Sequence, residues 1–351
     1  MSMSSRLTSL RSRSWSRISV LSLVGGALAL ALAACGSSST AAPAAGSSST
    51  AAGASSAFPV SIKSGFGTAT IPSAPSRVVV IGTSTDDLDA VLALGVTPVA
   101  FFSKVYTEPD GVPPWLKGTL DPAKTKIVNA DAGVSAEQVA GYDPDLILAT
   151  GDYGLDSEYA TLSKIAPTVG YATAWGGQSW QQHVQVVGQA LGKSSAATDL
   201  IDKTQNDIAA VKAANTGAAG KTFTASVGNT PGKIYTLVSD SDFAVKLIEQ
   251  LGLTLSSTVT GLSQQQAGSP TGALSPEQYD KLKADAVIIA FTSTDLQNAF
   301  QSSQLVKTIV DGTGYFVVDM QTITQLREPS VLGIPWVLGQ LKPVLQKLDA
   351  A

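Results

Sequence analysis

The residues that most often carry out catalysis or bind metal ions are nearly missing from this chain. His183 is its single histidine and Cys35 its single cysteine. Protein zinc sites usually combine several nitrogen and sulfur ligands, so a site of that kind cannot be assembled here. The sequence has no G-x-S-x-G motif, P-loop or dinucleotide-binding glycine loop either. These features argue against an enzyme and against direct capture of a bare metal ion. They predict that His183 is an ordinary solvated residue of a helix.

Aromatic residues are concentrated in the segments that follow the apolar runs. Open α/β sheets bind ligands at the carboxyl ends of their strands, where loops lead into helices. The residues predicted to contact a ligand in such loops are Ser84, Thr85, Phe102, Tyr106, Tyr153, Trp175, Phe243, Phe291 and Arg327. Aromatic walls with a few polar groups favour a bulky, partly apolar ligand over a sugar or a single amino acid. Each residue also has an ordinary alternative, because the rings can be buried under their own loops and the hydroxyls can cap helices.

The elements that would position these loops occur twice. SAEQVAGYDPDLILAT starts at Ser135, and SPEQYDKLKADAVIIA starts at Ser275. Each stretch has a capping Ser, a Glu two residues later, about two amphipathic turns, and then an Asp before an apolar run that predicts a buried strand. Each follows a strand, turn and helix ending in Leu-Gly, at 77–95 and 233–252, which we interpret as counterparts. The pattern predicts an α/β protein of two similar lobes of mostly parallel sheet flanked by helices.

The segment between the two halves has apolar residues at helical spacing and no strand signal. We interpret 182–214 as a long connecting helix, with two ordinary helices broken at Gly192-Lys193 as the alternative. The connecting helix then separates an N-terminal lobe at 58–181 from a C-terminal lobe at 215–351.

The beginning of the chain predicts targeting rather than folding. Four arginines precede an apolar or small-residue stretch at 18–34, which is typical of a secretory signal peptide over 1–34. The stretch ends in LAAC, which resembles the bacterial lipobox, so Cys35 is predicted to carry the lipid of a palmitoylated lipoprotein. An unpaired thiol and an uncleaved membrane anchor are the alternatives. Residues 35–57 are predicted to be the lipidated cysteine and a flexible Ser/Ala/Gly tether.

The part of the chain after the predicted signal peptide is acidic. Four of the 23 basic residues lie in the first 34 positions, which leaves 19 basic against 27 acidic residues and a formal net charge of −8. An acidic body with only two arginines, Arg77 and Arg327, is a poor candidate for binding nucleic acid. We expect a monomer held by its lipid on the extracytoplasmic face of the cell membrane.

Taken together, these segments resemble the iron-siderophore and vitamin B12 class of ABC-transporter substrate-binding proteins. The resemblance rests on the order and spacing of the segments 74–100, 134–152, 162–171, 180–193, 274–290, GYFVVD and SVLGIPWVLGQL. It covers the chain from about residue 58 onward. It implies the helical-backbone periplasmic-binding-protein fold, in which two lobes joined by one long helix enclose a cleft for an iron chelate or corrinoid and close little on binding.

The resemblance also implies partners. A ferric siderophore would be captured in the interlobe cleft and delivered to an ABC permease dimer, whose arginines would pair with one Glu from each lobe. Those residues are Glu137 and Glu277 here, although a Glu in a first helical turn can simply complement the helix dipole. Iron would arrive already chelated, so no cofactor and no protein metal ligand is expected. A cobalamin or haem receptor of the same fold, or a non-transport cell-surface interaction protein, are the alternatives.

The expected cleft has few cations. Relatives that hold highly anionic catecholate complexes often use several arginines, whereas only Arg327, helped by Lys104 or Lys233, is available here. A guanidinium suits a carboxylate, hydroxamate or catecholate oxygen, and a surface ion pair is the equally open alternative for Arg327. The shortage of cations favours a hydroxamate, mixed-ligand or otherwise weakly charged chelate.

Overall fold

A computed structural model describes residues 57–104, 112–265, 269–312 and 314–350 of the chain. All of them belong to the compact unit formed by Ser55–Ala351. The predicted signal peptide, Cys35 and Tyr106 lie outside the described residues. Among the helices of the described residues, none combines the length and the apolar character needed to cross a membrane.

The first lobe is built on a parallel sheet of five strands. An antiparallel hairpin of β1 (Val60–Ser64) and β2 (Gly67–Ile71) precedes it. The sheet strands are β3 (Val78–Gly82), β4 (Ala100–Ser103), β5 (Lys126–Asn129), β6 (Leu146–Ala149) and β7 (Thr168–Gly170). They lie in the order β5-β4-β3-β6-β7, and every neighbouring pair is parallel. All residues of β3, β4 and β6 are buried, as expected for strands covered by helices on both faces.

Short helices connect these strands. They are α1 (Asp86–Ala93), α2 (Ala136–Ala140), α3 (Leu155–Leu162) and a 3₁₀ turn at Pro114–Leu116. The helix α1 follows β3 closely and carries three buried acids in its first turn, Asp86, Asp87 and Asp89. The predicted cap of α2 is present, because the Ser135 side chain accepts a hydrogen bond from the Gln138 backbone N–H at 3.3 Å.

Two helices follow the first sheet, α4 (Trp180–Ala190) and α5 (Ser194–Ala214). The predicted single helix over 182–214 is therefore divided, and the break lies at Gly192, whose φ of 66° is accessible mainly to glycine. The second helix has 21 residues and is about 30 Å long. It packs on α4 at one end and contacts two helices of the second lobe, so α5 alone is the long helix that joins the lobes.

The second lobe is built on a mixed sheet of six strands. They are β8 (Thr222–Thr230), β9 (Lys233–Leu237), β10 (Thr254–Leu255), β11 (Thr271–Leu274), β12 (Ala286–Phe291) and β13 (Tyr315–Val318). Their order is β11-β9-β8-β12-β13, with β10 beside β8. The β8, β10, β12 and β13 pairings are parallel, whereas β9 and β11 run antiparallel to their neighbours.

The helices of this lobe cover both faces of the sheet, and the last of them ends the described part of the chain. They are α6 (Phe243–Gln250), α7 (Ser257–Thr260), α8 (Thr294–Gln301), α9 (Lys307–Val310), α10 (Met320–Arg327) and α11 (Gly333–Asp349), with 3₁₀ turns at Thr216–Ala218, Pro276–Leu282 and Gln304–Val306. Because both lobes are sheets flanked by helices and α5 joins them, the predicted fold class is confirmed.

The internal repeat is also visible in the hydrogen bonds of two aspartates. Asp145 precedes β6 and accepts hydrogen bonds from the backbone N–H groups of Ser76 and Arg77, at 2.7 and 2.9 Å. Asp285 precedes β12 and accepts from the backbone N–H and the hydroxyl of Thr222, at 2.8 and 2.7 Å. Each carboxylate thus ties the start of its strand to the start of the central strand of the same sheet.

Segments 77–95 and 233–252 were predicted to be equivalent parts of the two lobes. Their helices are equivalent, but their strands are not. The strand before α6 is β9, which runs antiparallel to β8. The strand that corresponds to β3 is instead the central strand β8, because β8 has β12 as a parallel neighbour just as β3 has β6. A turn at Pro231 and Gly232, with φ of 68° at the glycine, adds β9 as a hairpin. A sequence pattern of strand, turn and helix predicts the order of the elements along the chain, but it does not predict which strands lie beside each other in the sheet.

The lobes are also joined by packing. One cluster of buried apolar residues includes side chains from both sheets and from α1, α4, α6 and α11. Between the lobes the rings of Trp115 and Trp336 lie with their centroids 5.4 Å apart. This shared core supports the expectation of little closure, because a large hinge motion would expose it to water.

Candidate functional site

A cavity of about 640 Å³ opens between the two lobes, beside the carboxyl ends of β3, β6 and β7. The first lobe contributes chiefly Ser84, Asp86, Thr150, Trp175 and His183. The second lobe contributes chiefly Asp242, Phe243, Lys246, Arg327 and Glu328. Below, this cavity is called the cleft.

Two smaller cavities adjoin the cleft. One, of about 490 Å³, lies against the second sheet and shares Arg327 and Glu328 with it. The other, of about 340 Å³, lies between the β3 and β4 loops and α10 and shares Ser84 and Glu328. Glu328 therefore borders all three spaces, and a ligand could extend beyond the cleft into either neighbour.

The structure brings several of the predicted ligand residues together. Ser84, Trp175, Phe243 and Arg327 line the cleft, and Thr85 lines the smaller cavity beside it. Tyr153 is 68% exposed at the rim, where its ring meets that of Trp175 edge to face at 5.2 Å. These residues come from three loops of the first lobe and two elements of the second.

Two of the predicted aromatic residues do not reach the cleft. Phe102 is fully buried and packs edge to face on Tyr142 at 5.9 Å, while its neighbour Phe101 lines the adjoining cavity. Phe291 packs on Phe300 at 5.5 Å in the core of the second lobe. Both lie within strands, where successive side chains point to opposite faces, so identifying the loop alone does not give the direction of a ring.

Arg327 occupies the position for which two roles were predicted. It ends α10, and its Nε donates to the Oδ2 atom of Asp242 at 3.3 Å. Asp242 in turn caps α6 by accepting from the Ala244 backbone N–H at 2.8 Å. No hydrogen bond within the described residues uses the terminal Nη groups of Arg327, so it is both an ion-pair partner and a possible donor to a ligand.

The lysines expected to assist Arg327 lie elsewhere. The Lys104 ammonium is held by Asp152 at 2.7 Å and by Glu158 at 2.9 Å in the first lobe. Lys233 lines a separate small cavity beside Pro276. The second cation of the cleft is instead Lys246, whose ammonium lies 5.0 Å from the centroid of the Phe243 ring. Lys246 is three residues after Phe243 on α6, so helical spacing was the signal that could have identified it.

The prediction of a solvated His183 is wrong. The residue is 6% exposed on the wall of the cleft, and its Nδ1 atom lies 2.7 Å from the Thr150 hydroxyl. Burial lowers the pKa of His183, but the carboxylates of Asp86 and Asp87 outweigh burial and raise it above its ordinary value. The helical pattern contained the signal, because His183 shares the buried face of α4 with Trp180 and Val184.

Carboxylates that the sequence analysis did not single out face each other across the cleft. Asp86 is 9% exposed, and burial raises its pKa above the ordinary value. On the other side, the pKa of Glu328 is raised to about 7, because burial and the negative charges of Asp86 and Asp242 outweigh the nearby Arg327 guanidinium. A pKa of about 7 means that Glu328, at the border of the cleft, changes its protonation close to neutral pH.

The predicted docking residues lie on exposed first turns. Glu137 is in α2 behind the Ser135 cap, and Glu277 is in the 3₁₀ turn that Ser275 begins. The Gln278 side chain accepts from the Ser275 backbone N–H at 3.4 Å, which is half of a capping box. A hydrogen bond from Ser275 lowers the pKa of Glu277, so this acid is ionised at neutral pH.

Within the described residues, no group of three or more His, Cys, Asp or Glu side chains is placed to hold a metal ion. What the cleft offers instead is the aromatic rings of Trp175, Trp180 and Phe243, hydroxyl groups, and charged side chains of both signs. Such a set can enclose and orient a ligand of several hundred Å³.

Several solved structures share this fold. A periplasmic solute binding protein from Mycobacterium smegmatis is 27% identical, with a TM-score of 0.70, over 83% of this chain and 98% of that one. PiaA of Streptococcus pneumoniae, solved in complex with ferrichrome, is 22% identical with a TM-score of 0.68, over 83% of this chain and 99% of that one. SirA of Staphylococcus aureus, solved with staphyloferrin B, is 22% identical with a TM-score of 0.65, over 82% and 98%.

None of the curated protein sequences matches this chain significantly. The model of one protein family, however, described as periplasmic binding protein, matches residues 78–309, which is well over half of the chain. The match begins at β3 and ends within α9, so it includes the first sheet, the helix that joins the lobes, and every strand of the second sheet except β13. On this match and on its fold, the chain belongs to the periplasmic binding protein family.

Proposed function

We propose that this protein is the substrate-binding component of an ABC importer, which captures a ferric siderophore in the cleft and delivers it to the permease. The observation that carries the proposal is the cleft itself, a space of about 640 Å³ between two lobes with Trp175 and Phe243 in its walls. A volume in this range suits a bulky ligand rather than an ion or an amino acid. PiaA and SirA, which share the fold, were solved with ferrichrome and staphyloferrin B.

The family implies a location outside the cytoplasm and a role in binding rather than catalysis. We further propose that Cys35 is lipidated and anchors the protein to the outer face of the cell membrane, in line with the LAAC sequence before it. A Cys35→Ser chain should move from the membrane fraction to the soluble fraction. Retention of that variant in the membrane fraction would contradict the proposed lipid anchor at Cys35. It would leave the proposal of a ferric siderophore as the ligand unaffected.

A fluorescence titration tests the proposed ligand class. Trp175 and Trp180 line the cleft, so a ferric siderophore bound there should quench their emission, because iron chelates accept excitation energy at short range. We expect saturable quenching by at least one ferric siderophore with a Kd of about 1 μM or lower. The Trp175→Phe variant should lose part of the quenching amplitude, and the metal-free siderophore is the control for affinity that does not need iron.

The same titration includes haem and cobalamin. Quenching by either of these, with none by any ferric siderophore, would replace the proposed function by that of a haem or cobalamin receptor. If no member of the panel binds, a cell-surface interaction protein without a small ligand becomes the better description.

A further inference from the structure

We propose that the cleft recognises a positively charged group on its ligand, held between Asp86 of the first lobe and Glu328 of the second. The inference rests on the proposed function in taking the ligand to be a ferric chelate, and it adds the charge of that chelate. The shortage of arginines predicts only a weakly charged ligand, whereas this inference gives the ligand a positive charge.

Asp86 is the better buried of the two carboxylates. It is 9% exposed and lines the cleft. Its Oδ2 atom accepts a hydrogen bond from the Ser84 hydroxyl and lies 3.9 Å from the Nε2 atom of His183. Within the described residues, no side chain or backbone group of another residue donates to its Oδ1 atom. This oxygen is thus available to a donor on the ligand.

Glu328 approaches the same space from the second lobe. It follows α10 and borders the cleft and both smaller cavities. The neighbouring Arg327 directs its Nε to Asp242 instead, and no ion pair within the described residues includes the Glu328 carboxylate. Among the residues that the structure describes, Glu328 therefore has no basic side chain within ion-pairing distance.

The basic groups around the cleft do not compensate its acids. Asp86, Asp87, Asp242 and Glu328 contribute four carboxylates, against the side chains of Arg327, Lys246 and His183. Arg327 pairs with Asp242, Lys246 lies over an aromatic ring, and His183 lies 3.9 Å from Asp86 and 3.5 Å from Asp87, so none of the three pairs with Glu328. The excess of negative charge is concentrated where the two lobes face each other.

An uncompensated carboxylate in a partly buried site is costly unless a cation or proton joins it. An ammonium group on the ligand, lying between Asp86 and Glu328, would supply that charge and donate hydrogen bonds to both lobes at once. The terminal Nη groups of Arg327 remain available for oxygen atoms of the chelate. The site thus fits a chelate with a cationic amine at one end and iron-binding oxygens at the other.

A matched pair of chelates tests the charge. Ferric desferrioxamine B has a free ammonium at the end of its chain, and its N-acetyl derivative keeps the same iron site but lacks that charge. We expect the purified chain to bind the ammonium form at least about tenfold more tightly, as charge-assisted hydrogen bonds allow. The measurement is the Kd of each chelate by tryptophan quenching at pH 7.5.

Variants then assign the preference to the two acids. Asp86→Asn and Glu328→Gln should each reduce the difference between the two chelates, and together they should bring it to within about twofold. The measurement is the ratio of the two Kd values within each variant, because the acetylated chelate reports any general effect of the substitution on the cleft. Glu249→Gln is the matched control, because this acid lies near the end of α6, outside the cleft, and the change in net charge is the same.

The pH profile provides a second measurement. Glu328 is faced by Asp86 from α1, Asp242 and Lys246 from α6, and Arg327 from its own element, with His183 of α4 behind Asp86. Since the pKa of Glu328 is about 7, the affinity for the ammonium chelate should rise between pH 6 and pH 8 as this proton is lost. Loss of a proton from His183 would act in the same direction, so Glu328→Gln should flatten the rise without abolishing it.

The outcomes separate this inference from the proposed function. Equal affinity for the two desferrioxamine forms, including no affinity for either, overturns the charge preference. Tighter binding of an anionic ferric catecholate overturns it as well, and in that case the siderophore-binding function stands. If no ferric chelate of any charge binds at concentrations up to about 100 μM, both the inference and the proposed function fail.

Discussion

Asp89 of α1 is a carboxylate shared by both lobes. Its Oδ2 atom accepts hydrogen bonds from the indole N–H of Trp115, at 2.9 Å, and from the hydroxyl of Ser330 in the second lobe. Its Oδ1 atom is buried without a hydrogen-bond partner among the described residues. Burial raises the pKa of Asp89 to about 8, so the group is largely protonated at neutral pH and joins the lobes as a neutral acid.

The protonation of Asp89 predicts a pH-dependent stability. The folded state keeps this proton up to about pH 8, whereas the unfolded chain loses it near the ordinary value of 3.8. The folded state is therefore increasingly disfavoured as the pH rises through this window, as proton linkage requires. Asp89→Asn removes the titration and keeps an oxygen for Trp115 and Ser330. It should raise the melting temperature by a few degrees at pH 8 and by much less at pH 5.

Thermal unfolding at the two pH values measures the effect. Asp295→Asn, at an exposed position in the first turn of α8, is the control and should not change the pH dependence. If Asp89→Asn changed the melting temperature equally at both pH values, the Asp89 carboxylate would not hold a proton in the folded state.

At the scale of secondary-structure elements, the contact between α4 and α5 fixes where the connecting helix starts. Gly188 of α4 has no side chain, and a Cβ atom there would overlap with the Cβ atom of Ala197 in α5. The two helices thus approach closely at a glycine–alanine contact. Through it, α5 is held against the helix that carries His183 to the cleft.

A pair of glycine substitutions tests this contact. Alanine is normally favoured over glycine in a helix by about 1 kcal/mol. Gly339→Ala in α11, where a Cβ atom would meet no neighbour within 4 Å, should therefore be neutral or stabilising. Gly188→Ala should instead lower the free energy of unfolding by about 1–3 kcal/mol, because the overlap forces α4 and α5 apart. Denaturant unfolding of both variants is the measurement, and equal effects would contradict a close helix contact.

At the scale of the whole molecule, each of the two lobes has one exposed acid at an equivalent position. Glu137 and Glu277 occupy equivalent first turns after Ser135 and Ser275, in stretches that each lead to an Asp-tethered strand. The repeat places the two acids in similar settings without any contact between them. Their role in docking to a permease remains a prediction.

The double variant Glu137→Ala/Glu277→Ala tests docking. We expect unchanged affinity for the chelate and uptake by cells reduced by about tenfold, because charge pairs at an interface control encounter and orientation. Uptake of iron-labelled chelate is the measurement. Asp202→Ala/Asp295→Ala, which removes an exposed acid from α5 and another from α8, should leave uptake unchanged. Normal uptake by the Glu137→Ala/Glu277→Ala variant would leave the two glutamates only the role of complementing the helix dipole.

The sequence alone was sufficient for the fold class and for several of the loops that line the cleft. Apolar runs such as that of β3, and caps such as Ser135, depend on neighbours in the chain, so local patterns predict them. The repeat of Asp145 and Asp285 could be seen for the same reason. The family resemblance, too, rested on the order of local segments, and the match over residues 78–309 agrees with it.

Only the tertiary structure decided which side chains meet in the cleft. His183, Asp86 and Glu328 come from three helical regions of two lobes, and nothing in their spacing along the chain brings them together. The same holds for Phe102, which differs from Phe101 only in the face of β4 that it occupies. Local sequence patterns indicate the helices and strands, but the charge and the walls of the cleft depend on long-range packing, which a linear pattern does not contain.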